Sequence, residues 1–421
     1  MADSLNTPIF IVGVQRSGTT LLAAMLASHS NLSCGPETHF FRRLSQIGSK
    51  SLCDEKTWPK PAVNFICSIS HTDYSGNPNK LLIDKYRLTK QDIGNFLEGK
   101  SPSIPHILSS VTDQYMRGMG KRRWVEKTPD HINYLGMIRN YYPDSLIIHI
   151  IRDPRDVALS LLKLPWGVKT YLEALLFWQR QIRSFERFSS VDELTYTLRY
   201  EDLIVSPREV LLKLCRCISE EFEEGMLDTS RSGKQLNSRH VSWKEKVSQP
   251  IDINRVYAWR RDLPKGKISL TEAVVGDQLK THNYQMETKF WGFGEVYPSM
   301  EEAIDVADQV EQIAMQGVRF WKSHPNEKTS VRIFIGNPGS QNWLGITLFS
   351  RITRSISIIV GVIIYFLLRR KIYWIPENRE DRWNGYLGEF LKLVLSRNKY
   401  HNSQLEEMQL IEKMVDNNFD R

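Results

Sequence analysis

The feature that most constrains this chain lies near its start. An apolar strand, Pro8 to Val14, runs into Gly13-Val14-Gln15-Arg16-Ser17-Gly18-Thr19-Thr20, and a helical segment, Thr19 to His29, follows. The glycines carry the G-x-x-x-x-G spacing of a phosphate-binding loop set between a strand and a helix. In such a turn several backbone N–H groups and the helix N-terminus converge on one point, which an anion fills. Leu21/Met25 and Leu22/Leu26 pair at i, i+4 and support the helix. One departure matters more than the match. Thr19 and Thr20 stand where a nucleotide triphosphatase has Lys and then Ser/Thr. The lysine that would reach the β/γ-phosphates is missing, and Arg16 supplies a cation instead. The loop therefore suits a shorter anionic group held without a dedicated magnesium site.

A second cluster follows Leu146 to Ile151, an unbroken apolar run typical of a central parallel strand covered on both faces. It reads Arg152-Asp153-Pro154-Arg155-Asp156, with Ser160 in the helix expected over Pro154 to Lys163, proline at its first turn. Arg152 falls at the carboxyl end of a strand, where open α/β sheets bind ligands. An arginine and a hydroxyl so arranged can hold a second phosphate. Alone, the cluster reads more simply as a surface Arg–Asp pair at a helix start; beside the first loop, the phosphate is preferred. Arg122 to Glu126 and Leu194 to Leu198 read as further strands, and Tyr171 to Phe188 as a longer helix. Strands alternating with helices predict an α/β fold, a P-loop-like parallel sheet flanked by helices.

Composition narrows the ligand. The 421 residues are 41% hydrophobic and 25% charged, which excludes a disordered chain and a polytopic membrane protein. The net charge of +8 favours an anionic ligand or surface. Lysines and arginines form no dense block, so nucleic acid is not indicated. The five cysteines are odd in number and contain no C-x-x-C pair, which argues for free thiols rather than a zinc site or a disulfide framework. No H-E-x-x-H or similar cluster suggests a metal. Met1 to Thr7 is polar, and the apolar stretch behind it is too short for a secretory leader, so a cytoplasmic catalytic part is expected.

The pattern changes near residue 295, dividing a domain of 1–295 from a region of 296–421. Ser299 and Glu302 form a capping box. Ala303, Ile304, Ala307, Val310, Ile313, Ala314, Gly317 and Trp321 then recur at helical spacing. Two further stripes run from Trp383 to Val394 and from Leu405 to Val415. A mainly helical C-terminal extension is predicted. Within it Ser355 to Leu368 is uncharged and flanked by Arg351, Arg354, Arg369, Arg370 and Lys371. At 14 residues it is shorter than the roughly 20 a spanning helix needs. Adding Trp343 to Phe349 reaches that length but encloses two arginines. A buried helix and a membrane association through 343–371 both fit.

Residues Val12 to Leu21 resemble the 5′-phosphosulfate loop of sulfotransferases that use 3′-phosphoadenosine 5′-phosphosulfate (PAPS). Ile151 to Asp156 with Ser160 resembles their 3′-phosphate motif. Cys34-Gly35-Pro36-Glu37-Thr38 and Tyr200-Glu201-Asp202-Leu203, followed by Pro207, are similar to the tyrosylprotein-sulfotransferase-like branch. The resemblance covers roughly residues 8 to 262. It implies that Arg16, Ser17, Gly18, Thr19 and Thr20 bind the 5′-phosphosulfate and that Arg152 and Ser160 bind the 3′-phosphate. Tyr200 is implied near the nucleotide. Glu37 matches the general base of the branch. Lys127, in Glu126-Lys127-Thr128-Pro129, matches the lysine at the sulfuryl and leaving group.

The chemistry asks for such groups. Sulfuryl transfer to a hydroxyl needs a base for the acceptor proton and cations for the charge that grows on the leaving oxygen. Glu37 answers the first need; Lys127 and Arg16 answer the second. His39, two residues from Glu37, is a rival base. Singly, Glu37 reads as a carboxylate at a helix start and Lys127 as a solvated strand-end lysine. Around 244–263 the resemblance weakens: Trp243 and Ala258 stand where a serine and a lysine are expected, and Arg260 or Arg261 is a candidate substitute. Arg42, Arg43, Trp166 and Trp178 could line an acceptor cleft, although Trp178 reads as core. The expected activity is transfer of a sulfuryl group from PAPS to a hydroxyl acceptor: carbohydrate, glycolipid or tyrosyl. The alternatives are a P-loop small-molecule kinase and a non-catalytic, membrane-attached PAPS-binding protein. The sequence leaves the oligomeric state open.

Overall fold

Five short strands lie side by side in one parallel sheet: β1 (Ile9–Val12), β2 (Leu32–Cys34), β3 (Arg123–Lys127), β4 (Leu146–Ile151) and β5 (Thr195–Arg199). Their spatial order is β2-β3-β1-β4-β5. The structure is a computed structural model that describes residues 7–71, 80–164, 168, 171–236 and 247–287, with two strands at 331–335 and 344–348. The chain passes from β1 to the outer strand β2, returns to β3 beside β1, and then crosses to β4 and β5 on the other side, so the direction of connection changes at β1. Ligands of open α/β sheets bind at the carboxyl edge of such a point. The register sets Ile11 opposite Lys127 and Val12 opposite His149.

The central strand is buried on both faces, as its apolar run implies. Phe10 and Val12 face a core built with Phe41, Trp124, Tyr142 and the helices Lys60–Ser68, Lys90–Leu97 and Ile104–Gly118. Ile9 and Ile11 face Leu22, Met25 and Leu26 of α1 (Thr19–Ala27). Phe10 meets Tyr142, Trp124 and Phe41 edge-on, with ring centroids 5.2, 5.6 and 5.9 Å away.

The described residues fall into two units, 7–152 with 181–256, and 153–180 with 257–287 and the strands at 331–335 and 344–348. The second unit contains the helix Pro154–Leu161, capped where the Asp153 carboxylate accepts from the Arg155 backbone N–H at 2.9 Å. The Asp153–Arg155 pair is fully buried, unlike the surface pair that the cluster suggests when taken alone. The Arg155 guanidinium lies 3.6 Å from the centroid of the Trp259 ring, and Trp259 Nε1 donates to Asp153 at 3.1 Å. Trp178 is fully buried, as core.

The seven elements that the sequence reading bounds in the first 290 residues coincide with the structure to within two residues at either end. The strand β2, the helices between residues 40 and 118, and the helices Leu135–Tyr141, Tyr200–Val205, Pro207–Cys217, Ser230–Leu236 and Lys265–Thr281 were not anticipated. Leu344–Leu348 is a strand paired antiparallel with Val331–Ile335. That corrects the extension of an apolar helix back through Trp343 to Phe349. The boundary at 295, the helical stripes of 296–421, the run Ser355 to Leu368 and Trp166 lie outside the described residues. Among the described residues no helix is long and apolar enough to cross a membrane.

Phe10→Ala should cost about 3–5 kcal/mol, because the aromatic cluster around it cannot collapse into the space left. Leu194→Ala, at a position 43% exposed, should change stability by less than about 0.5 kcal/mol. Urea unfolding of the two variants checks the contrast.

Candidate active site at the carboxyl ends of the strands

Because the five strands are parallel, their carboxyl ends share one edge of the sheet, and each hands a side chain or loop to that edge. β1 leads into the Gly13–Gly18 loop, β2 to Glu37, β3 ends on Lys127, β4 is followed by Arg152, and β5 by Tyr200. All of these belong to the first unit. Ser160 lies in the helix Pro154–Leu161 of the second, partly buried.

The loop is built by its backbone. Arg16 has φ 73° and Gly18 has φ 97°, both left-handed. Glycine makes this possible at residue 18, where a Cβ would also strike the ring of Tyr200. At Arg16 the same conformation is a local cost, of the kind kept at ligand sites. Ser17 donates its N–H to the Val14 carbonyl at 3.1 Å. Its hydroxyl oxygen is buried and has no hydrogen-bond partner among the described residues. The first turn of α1 has no side-chain cap. A buried hydroxyl and an uncapped helix N-terminus together suit an oxyanion.

Arg152 and Arg255 join the loop's own Arg16 in a cluster of three arginines. Arg152 donates to the carbonyl of Arg16 at 3.2 Å and to that of Arg255 at 2.8 Å. Its guanidinium lies 4.3 Å from the centroid of the Tyr200 ring. Burial, then the charges of Arg152 and Arg255, push the Arg16 guanidinium below its usual range. Such a cluster of like charges calls for a multiply charged anion.

Glu37 and Lys127 meet beside the loop. Lys127 Nζ is 2.5 Å from Glu37 Oε1 and donates to Thr20 Oγ1 at 3.3 Å. The Lys127 side chain is only 2% exposed, so it is a buried charge rather than a solvated one. His39 Nε2 sits 3.5 Å from Glu37 Oε2. The structure thus brings together Arg16, Ser17, Gly18, Thr19, Thr20, Glu37, Lys127, Arg152 and Tyr200. Arg255 was missed by sequence reasoning; it lies in a short polar turn, Ile253–Arg255, without periodic signal. Arg260 bonds Glu287 and Gln285, and Arg261 bonds Asp262. Arg42 faces Asp130 at 3.9 Å, and Arg43 bonds Gln46. Among the described residues no group of His, Cys, Asp or Glu is placed to hold a metal ion.

Glu126, next to Lys127, lies on the other face of β3 and is fully buried. It accepts from the Thr128 and Thr38 hydroxyls at 2.6 and 2.7 Å and from His131 Nδ1 at 2.9 Å. Burial pushes its carboxyl up, but the His131 charge and these hydrogen bonds outweigh burial and hold it below 4.5. A carboxyl lowered by folding stabilises the fold above its unfolded value, and that contribution is lost as pH falls through the folded value. Wild-type stability should therefore decline as pH drops below about 4.5, and Glu126→Gln should flatten that part of the profile. Urea midpoints measured between about pH 3 and pH 7 check this.

Protein-tyrosine sulfotransferase A of Caenorhabditis elegans is 22% identical over 277 residues, covering 63% of this chain and 64% of that protein. Nodulation protein NoeE of Sinorhizobium fredii is 26% identical over 159 residues, covering 38% of this chain and 32% of that protein. The chain spans less than two thirds of the length of either relative. A solved sulfotransferase domain from the curacin biosynthetic pathway aligns with a TM-score of 0.47 at 20% identity, over 67% of this chain and 99% of that one. Residues 8–224, more than half of the chain and the whole of the five-stranded sheet, match the sulfotransferase family, and the chain belongs to it.

Proposed function

We propose that the protein transfers a sulfuryl group from PAPS to the hydroxyl of an acceptor, by in-line displacement with Glu37 as general base. The observation that carries the reading is the adjacency of two arrangements on one sheet edge: the three-arginine cluster at the Ser17 loop, and the Glu37–Lys127 pair. PAPS, when bound, supplies a sulfuryl group attached to a phosphate leaving oxygen. The residues present fit it. Ser17 offers a buried hydroxyl without a partner among the described residues, the loop offers backbone N–H groups, and Arg16, Arg152 and Arg255 offer positive charge. Arg152 would hold the 3′-phosphate, as the resemblance implies.

The protein's own part is electrostatic and positional. Glu37 takes the acceptor proton at a carboxylate oxygen. Lys127 and Arg16 place fixed positive charge where negative charge develops, in a site already stripped of much water, where such charge acts strongly. Tyr200 backs Arg152 with its ring and fixes the side of the nucleotide site. The relatives named as protein-tyrosine sulfotransferases support a tyrosyl hydroxyl as the first acceptor to test, with carbohydrate and glycolipid next. We assign catalysis to 1–295 in the cytoplasm and treat 296–421 as a separate, mainly helical region, the strand pair of Val331–Ile335 and Leu344–Leu348 apart, through which the protein attaches to a membrane.

Adenosine 3′,5′-bisphosphate at about 100 times its dissociation constant should stabilise the fold by about 2.7 kcal/mol in a thermal-shift measurement. ATP with magnesium should give less. A shift with ATP and magnesium alone would make the protein a kinase. With ³⁵S-labelled PAPS and a tyrosyl peptide, Glu37→Gln should lower kcat by about 10²–10⁴-fold and leave bisphosphate binding intact. Binding without turnover by the wild type on any hydroxyl acceptor would leave a PAPS-binding protein and overturn the enzyme.

A further inference from the structure

The segment that carries Glu37 has little regular structure of its own. Gly35 and Pro36 precede it, and α2 (Phe40–Ile47) starts three residues after it. Something outside the segment must fix the carboxylate, and the end of β3 does so from both faces. Successive strand residues point to opposite sides of a sheet. Lys127 points to the α1 side and meets Glu37. Glu126 points to the other side, into the core with Phe41, and meets Thr38. Two consecutive residues of one strand thus grip two consecutive residues of the loop.

The second grip is the more elaborate. Thr128 Oγ1 accepts from the backbone N–H of Thr38 at 3.1 Å and of His39 at 3.4 Å. Thr38 Oγ1 accepts from the N–H of Phe40 at 3.2 Å. Both hydroxyls donate to one oxygen of Glu126, and His131 Nδ1–H donates to the other. Three successive amides, 38 to 40, are therefore held by two threonines whose hydroxyl hydrogens are both committed to one buried carboxylate. His39 takes a left-handed φ of 48° at this point, a conformation that needs such support. Tyr86 holds the other side of the segment by donating to the Pro36 carbonyl at 2.7 Å.

We infer that Thr38, Glu126, Thr128 and His131 form a positioning device that sets the Glu37 carboxylate against Lys127. The inference rests on the proposed role of Glu37. The Thr128 hydroxyl bonds Glu126 and the amides of Thr38 and His39, not the Gly13–Gly18 loop or the arginine cluster, so its effect runs through the segment that carries Glu37 and His39. A displacement of about 1 Å in a reacting group can cost about 10²-fold in rate.

The test compares wild type, Thr128→Val and Thr128→Ser. Thr128→Val keeps the shape and removes the hydroxyl; Thr128→Ser keeps the hydroxyl. In Thr128→Val, hydrogen exchange at residues 37–41 should accelerate. Its kcat with ³⁵S-labelled PAPS and a tyrosyl peptide should fall about 10²-fold, with the dissociation constant for adenosine 3′,5′-bisphosphate unchanged within about twofold. Thr128→Ser should restore both. Unchanged exchange in Thr128→Val would overturn the inference, as would faster exchange with wild-type kcat. A parallel loss of bisphosphate binding would also overturn it, since a general loosening predicts that. If Thr128→Val does not fold, Glu126→Gln takes its place: faster exchange at 37–41 with a lowered kcat supports the device, and wild-type values of either overturn it. A wild-type chain without turnover overturns the proposed function instead, and the exchange readout then decides the clamp by itself.

Discussion

Everything at the candidate site depends on one constraint: five strands hydrogen-bonded in parallel, so that their carboxyl ends cannot help but meet. The glycine loop, Glu37, Lys127, Arg152 and Tyr200 are spread over nearly two hundred residues of sequence, and no local interaction could assemble them. The register does. Pairing β1 with β3 and β4 fixes where the loop after Val12 lies relative to Lys127 and Arg152. Strands buried on both faces hold that register tightly, since a slip of one residue would turn every apolar side chain to the wrong layer. Phe10 and Ile11, adjacent in sequence and buried in opposite cores, are the clearest instance.

The sheet places charge where charge is costly. Arg16 is held in a left-handed conformation, partly buried, beside two other guanidinium groups. Lys127 is almost fully buried and balanced by Glu37. Removing one member of a buried pair leaves the other uncompensated, at a cost of about 3–5 kcal/mol. An edge with such a collection of cations is stable only to the extent that carbonyls, carboxylates or a bound anion answer them. Arg152 shows the protein's own answer: its donors go to the carbonyls of Arg16 and Arg255, and its face goes to Tyr200. These interactions hold the guanidinium in place while leaving the net positive charge for a ligand.

Local signals explain what the sequence disclosed. The glycine spacing, the apolar runs of β1 and β4, and the Arg-Asp-Pro-Arg-Asp cluster are each contained within about ten residues, and their meaning is backbone geometry that neighbouring residues determine. Arg255 escaped notice because the arginines it joins, Arg152 and Arg16, lie more than a hundred residues away and its own turn carries no pattern. Leu344–Leu348 escaped for another reason. A short apolar run has no period that separates strand from helix, and only pairing with Val331–Ile335 decides it. Lys127 was legible only through its resemblance to a family; nothing in Glu126-Lys127-Thr128-Pro129 distinguishes a buried lysine from a solvated one.

Glu126 shows how a strand end can serve stability and chemistry at once. A carboxylate in an apolar core is expensive, and the cost is met by four donors: two hydroxyls, one imidazole N–H and, at 3.4 Å, the backbone N–H of Thr38. Three of those donors belong to the segment around Glu37 or to the residue that follows Lys127. The group that stabilises the fold by filling its hydrogen-bonding capacity therefore fixes the approach of the candidate base to the candidate lysine. A neutral side chain at 126 could pack as well, but it could not demand the same donors, and the loop would lose the reason for its shape. The two faces of β3 thus divide the work: Lys127 turns a charge toward the ligand, and Glu126 turns one inward to hold Glu37 in place.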